Sequence, residues 1–103
     1  MKILAFRLTG INGGTPVATP NTGVASVAQA GGDITITLED KYSSLLSCQL
    51  TLGATDGVPA ATAAVYESDT VSTTKTIVID TAGSPDANDT LDVALFLKNS
   101  SVT

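Results

Sequence analysis

Residues 33–38 read Asp-Ile-Thr-Ile-Thr-Leu, so Ile34, Ile36 and Leu38 fall on one side of an extended chain and Asp33, Thr35 and Thr37 on the other. A period of two is what a strand with one buried and one wet face requires. The same rhythm runs through 45–52, where Leu46, Cys48, Leu50 and Leu52 alternate with their neighbours, and through 74–80, where Lys75, Ile77 and Ile79 oppose Thr76 and Val78. In 91–97, Leu91, Val93, Leu95 and Leu97 form one face, while Ala94 and Phe96 make the reverse face partly apolar. A strand apolar on both sides is central in its sheet or covered by a partner. Residues 3–8 and 24–28 predict two further strands. Residues 60–67, Ala-rich and weakly alternating, predict another, with a short helix as the alternative.

Turn chemistry separates these runs. Gly10, Asn12, Gly13 and Gly14 follow the first strand, Gly31-Gly32 precedes residue 33, and Asp56-Gly57 sits at the tip of a hairpin-type turn. Residues 15–23 contain Pro16 and Pro20 and read as an extended loop or edge segment. Residues 39–44 read as a turn with room for one helical turn, 68–73 as a polar loop, and 81–90 as a loop rich in Gly, Pro, Asp and Asn. Six to eight short strands about ten residues apart are the signature of an all-β fold. The prediction is an antiparallel β-sandwich, jelly-roll-like or immunoglobulin-like. At 103 residues the chain makes one domain, with residues 1 to about 31 read as an extended N-terminal segment.

Composition narrows this further. The aromatic residues are Phe6, Phe96, Tyr42 and Tyr66, and there is no Trp. Burial must come from Val, Ile, Leu and Ala, which predicts a thin core and marginal stability as an isolated monomer. Assembly would supply the missing burial. The net charge is −5, and the five basic residues Lys2, Arg7, Lys41, Lys75 and Lys98 are spread singly. Nucleic acid and anionic membranes are recognised by clustered Lys and Arg, so neither is an expected partner. No stretch approaches the roughly 18 apolar residues of a spanning helix. The apolar start of the chain is broken at Arg7, too short for a signal peptide, which predicts a cytosolic product unless it leaves within something larger.

The residue types also limit the chemistry. The chain has no His, which excludes Ser-His-Asp arrangements, and its single Cys48 can supply only one ligand to a zinc site. Cys48 lies in an apolar alternation and reads as a small buried hydrophobe rather than a nucleophile. The glycines at 10–14 lead into a Pro-containing loop rather than a helix, so they are a turn and not a phosphate cradle. Asp86, Asp89 and Asp92 crowd one segment, but Leu91 and Leu97 stand where a calcium-binding EF-hand loop starting at Asp86 needs Gly and Glu. An acidic turn is the simpler reading, with an incidental cation site as the alternative. Glu39-Asp40 is a second acidic pair, without the aromatic platforms of a sugar cleft. The sequons at Asn88 and Asn99 carry no weight without secretion. No enzyme activity and no cofactor are expected.

The run Gly32-Asp33-Ile34-Thr35-Ile36-Thr37-Leu38-Glu39-Asp40-Lys41-Tyr42-Ser43-Ser44-Leu45-Leu46 resembles a strand-turn-strand pattern of small virion proteins of tailed bacteriophages. The ending Asp89-Thr90-Leu91-Asp92-Val93-Ala94-Leu95-Phe96-Leu97-Lys98-Asn99-Ser100 is similar to their closing strand. The likeness covers roughly residues 31–103. It implies a capsid decoration, or cement, protein: a small β-rich module, a homo-oligomer with a trimer favoured over a dimer, seated on the capsid exterior and made in the host bacterial cytoplasm. Its partner would be the major capsid protein. On that reading the contacts are expected from the N-terminal strand with Ile3, Ala5 and Phe6, from the loop with Pro16 and Pro20, and from Ala94 and Phe96 on the last strand. The first would pair its backbone with a neighbour's sheet edge. The rivals are a tail or fibre component, and a carbohydrate-binding or adhesin sandwich using Tyr42 and Tyr66.

Overall fold

The computed structural model describes residues 1–98. Its eight strands are β1 (Lys2–Thr9), β2 (Val17–Thr19), β3 (Val24–Ala30), β4 (Asp33–Leu38), β5 (Ser44–Ala54), β6 (Ala61–Asp69), β7 (Thr76–Gly83) and β8 (Asp89–Lys98). They form two antiparallel sheets of four, ordered β2-β1-β8-β5 and β3-β4-β7-β6. The fold is the all-β sandwich that the alternation predicts. Eight strands, four to a sheet, match the strand count of a jelly roll rather than the seven of a constant-type immunoglobulin domain.

The chain builds this body in two halves. Residues 1–38 supply β2 and β1 to one sheet and β3 and β4 to the other, and residues 44–98 supply β8 and β5, then β7 and β6. The halves are joined along two seams, β1 with β8 and β4 with β7. The N-terminal thirty residues are therefore no extended arm. They contribute three strands, and β1 is an inner strand paired to β8 along its whole length. Backbone pairing with a neighbour is blocked on that side. On the other side β2 pairs only with Arg7, Leu8 and Thr9.

Between the sheets lie Leu4, Phe6 and Leu8 of β1, Leu91, Val93, Leu95 and Leu97 of β8, Ile34, Ile36 and Leu38 of β4, and Ile77 and Ile79 of β7, all buried. Each is worth about 1.5–3 kcal/mol when removed from water. Three loop residues, Ile11, Tyr42 and Val71, close the ends of this layer. Two glycines make the β3–β4 hairpin possible. Gly31 takes φ 60 in the two-residue loop, and Gly32 lies so close to β7 that a Cβ there would stand 2.8 Å from the Thr81 carbonyl oxygen.

Other segments settle or depart from expectation. Residues 39–44 contain no helical turn, and β5 starts at Ser44. The strand expected at 60–67 is present as β6 from Ala61 onward, and the helix alternative is not. The loop at 15–23 holds the short strand β2, with Pro16 buried just before it. Strands β7 and β8 eat into the loop expected at 81–90 from both sides.

Candidate interaction face

Pairing of β1 with β8 sets Ile3 opposite Phe96, Ala5 opposite Ala94 and Arg7 opposite Asp92. Pairing of β8 with β5 extends these rows to Ser47, Gln49 and Thr51. Leu4, Phe6 and Leu8 point into the core, so by strand alternation all three rows stand on the outer face of the sheet. The first row is apolar: Ile3 is 51 % exposed and Phe96 is half-buried. The middle row is small, Ala5 and Ala94 flanked by Gln49. It forms the floor of an open depression of about 380 Å³ lined by Ala5, Arg7, Gln49, Thr51, Asp92 and Ala94. The third row closes it with a charged clasp. The Arg7 guanidinium donates from Nε to Asp92 Oδ1 at 2.6 Å and from Nη2 to Asp92 Oδ2 at 3.0 Å.

That two-pronged ion pair is the only one among the described residues. Hydrogen bonding to Arg7 draws the Asp92 pKa below its ordinary value. Hydrogen bonding to Asp92 likewise raises that of Arg7. Both side chains are about half exposed, so the pair contributes little to folding stability. Its consequence is local: it fixes two long side chains in one geometry at the rim of the depression.

Of the residues expected to make contacts, the fold therefore brings Ile3, Ala5, Ala94 and Phe96 onto one face. Phe6 does not belong with them, because odd and even residues of β1 face opposite ways and Phe6 is 5 % exposed in the core. Pro16 is buried. Pro20 is exposed and follows a cis peptide bond in the connection between β2 and β3, one residue beyond Thr19, which pairs with Arg7. Tyr42, one of the two aromatics considered for sugar binding, is buried, and burial with the nearby charges of Asp40 and Glu39 raises its pKa. Tyr66 is exposed and its hydroxyl donates to Asp69, which pushes its pKa up to about 12.

The sequence missed the Arg7–Asp92 clasp, whose partners lie 85 positions apart. Alternation placed Arg7 with Ile3 and Ala5, and Asp92 with Ala94 and Phe96. The missing information was that those two strands are neighbours.

The acidic stretch near residue 90 resolves into three separate tasks. Asp86 Oδ1 accepts from the Asn88 N–H at 2.9 Å, closing a turn. Asp89 points inward, and Asp92 faces outward to Arg7. Asp89 is 0 % exposed and accepts hydrogen bonds from the backbone N–H groups of Ala60 and Ala61 at 3.0 and 2.8 Å. Burial pushes its pKa up, but these N–H donors outweigh that and hold it below the usual value. Asn88 sits in the turn with its side-chain amide donating to Asp56. The second sequon, at Asn99, lies outside the described residues.

A different carboxylate group appears on the opposite sheet. Asp33 and Asp80 are direct cross-strand partners, and with Glu67 their oxygens lie within 4.8 Å of one another. Repulsion from Asp33 raises the Glu67 pKa. All three are exposed, and exposed acidic groups of this kind need no ion. Cys48 faces the core side of β5 but is only half-buried, and burial pushes its thiol pKa up to about 11.

No family model, curated protein or solved structure matches this chain.

Proposed function

We propose that this protein is a virion structural protein, a capsid decoration or cement protein that holds the major capsid protein shell together by surface contact. The observation that carries the reading is the outer face of the β1–β8 pair. There Ile3, Phe96, Ala5 and Ala94 form an apolar strip on the two inner strands of a rigid sheet, ending in the Arg7–Asp92 clasp. Strips of this kind on a soluble surface mark contact sites. Rigid strands hold the contact groups without an ordering cost at binding. Many modest contacts repeated over a lattice give high avidity with no single strong site. The strand-turn-strand resemblance at 32–46 and the closing strand at 89–100 support the same assignment.

The test is to add the purified protein to shells of the major capsid protein and to follow their thermal disruption. Binding with a raised disruption temperature is expected. Shells that neither bind the protein nor gain resistance overturn the reading. Labelling that places the protein on the tail of intact particles moves it to the tail-component alternative.

A further inference from the structure

The two flanks of the sandwich are unlike. At the β2–β3 flank the turn after β1 folds over the gap. Ile11 is fully buried there, Pro16 is buried, and the Gln29 side chain donates to the Ile11 carbonyl at 2.8 Å and accepts from the Gly13 N–H at 3.2 Å. The β5–β6 flank has no such cover among the described residues. Leu45, Cys48, Leu50 and Leu52 face the core side of β5 yet remain only half-buried. Leu46 is 55 % exposed and Tyr66 43 % exposed. Leu45, Leu46, Ser47, Cys48 and Tyr66 line a groove of about 190 Å³ at the start of β5.

Among the described residues, strand β5 is the longest and ends its sheet, with β8 on one side and no strand on the other. Its sequence from residue 44 to 54 holds no charged residue and no proline. Natural edge strands are kept apart by charges, prolines, short length or bulges. Here a single irregularity, at Leu45/Ser47, is the whole protection, and it leaves residues 47–54 regular. The neighbouring edge strand β6 is guarded by Glu67, Asp69 and irregularities at Ala61/Ala63 and Tyr66/Ser68. On this flank, therefore, only β5 among the described residues offers a row of backbone groups ready for pairing.

We infer that β5 pairs antiparallel with β5 of a second copy of this chain about a two-fold axis, joining the β2-β1-β8-β5 sheets of the two copies into one. The proposal gives one address to the self-association contained in the capsid reading, and it stands or falls in solution without any capsid. Charge directs a basic partner elsewhere and permits a second copy here. Each chain carries −5, which opposes self-association, but residues 44–54 carry no charge, so pairing along them sets no like charges directly opposite one another, whereas a basic partner would be drawn to the acidic surfaces. Size allows it as well. Eleven residues at about 3.4 Å per residue run roughly 37 Å, nearly the 42 Å length of the molecule, and its shorter dimensions are 21 and 19 Å. The whole flank, the β5 and β6 edges together, thus spans roughly 700 Å² per copy, and two such flanks exceed the ~1,000 Å² of a specific interface.

An isologous contact uses the same strip twice and closes at two subunits. A head-to-tail alternative within the sheet would need its other edge, where β2 is three residues long and covers Arg7 to Thr9, leaving only residues 2–6 of β1 free; both pieces are much shorter than β5. Two-fold pairing replaces the three-fold state expected from the resemblance.

Sedimentation equilibrium of the full chain at neutral pH and physiological salt tests this. Wild-type protein is expected at twice 10.4 kDa, with association tightening as salt screens the two acidic chains. The exposed flank substitutions Leu46→Lys and, separately, Tyr66→Ser are expected to weaken association more than tenfold. Hydrogen exchange of the wild-type protein is expected to slow at residues 44–54 as concentration rises, and not at β3. This readout needs no variant to fold. A monomer at 100 µM, a three-fold mass, a dimer indifferent to both substitutions, or exchange at 44–54 independent of concentration each overturns the proposal. Failure of shells to bind the protein leaves this result unaffected and counts only against the capsid reading.

Discussion

Replacing Asp89 should damage this protein more than any other substitution of an acidic residue. Its carboxylate lies at the start of β8, fully enclosed, and holds the N–H groups of Ala60 and Ala61, the residues that lead into β6. The bond ties the two sheets together at one end of the sandwich, because β8 belongs to one and β6 to the other. Asp89→Ala removes a charged acceptor and leaves two backbone donors without a partner, one of them buried. An unsatisfied buried donor costs about 1–3 kcal/mol. The expected loss is about 3 kcal/mol, partly softened if water reaches Ala60. For a domain of this size each 1 kcal/mol lowers Tm by about 4–8 °C, so a fall of roughly 15 °C is expected. Asp89→Asn keeps the shape, retains one acceptor oxygen and should lose about half as much.

The pH dependence carries a second signature of the same site. A carboxylate whose pKa is depressed by folding adds stability that is present above its unfolded value and is lost as pH falls through the folded value. The gap between wild type and Asp89→Asn should therefore be full at neutral pH and shrink below about pH 4. Urea denaturation at pH 7 and at a series of acid pH values measures it. If Asp89→Ala loses less than about 0.5 kcal/mol, or if the gap is the same at pH 3 as at pH 7, the account of Asp89 as an inter-sheet tie is wrong.

Two further predictions concern single residues. The half-buried Cys48 thiol, with its pKa pushed up to about 11, should be about a thousandth ionised at pH 8. Reaction with a disulfide reagent should be slow in the native protein and fast in denaturant, and equal rates would contradict that. Because the raised value favours the neutral thiol, this contribution to stability holds at neutral pH and fades as pH climbs from about 8.5 toward 11. Lys75 takes φ 68, a conformation that suits glycine, in the turn where its N–H donates to the Thr70 carbonyl. Lys75→Gly relieves that strain at the cost of a freer unfolded chain, for a net gain of about 0.5 kcal/mol. A lower denaturation midpoint in the variant would refute the strain.

Much of the fold was legible because its strongest signals are local. Ile34, Ile36 and Leu38, or Leu91 through Leu97, declare a strand and its buried face within a few residues, and the glycine pairs declare the turns. What the alternation could not carry was neighbourhood. Nothing local says that β1 lies beside β8, so residues 1 to about 31 read as an extended N-terminal segment. Strand β2 is three residues beside a proline, too short to show a period. Phe6 entered the contact set with the rest of the N-terminal strand, although the phase that buries Leu4 and Leu8 buries it too. Tyr42 and Ile11 are buried from loops, where no periodicity exists to reveal it. The interaction face itself was half legible: the doubly apolar β8 announced an unusual outer side, and Ile3 and Ala5 shared a phase. Its depression and clasp arise only once three strands stand in register.

The central claim is that the outer face of β1 and β8 makes the binding contact, and Ala5→Arg tests it most directly. Ala5 is exposed, packs against nothing in the core, and sits on the floor of the depression, so a large side chain there fills the depression while leaving the sandwich intact. Wild-type and variant protein are titrated onto capsid shells and melted in parallel. The account predicts an unchanged melting curve with at least a tenfold loss of shell binding. A variant that binds the shells as tightly as wild type contradicts it.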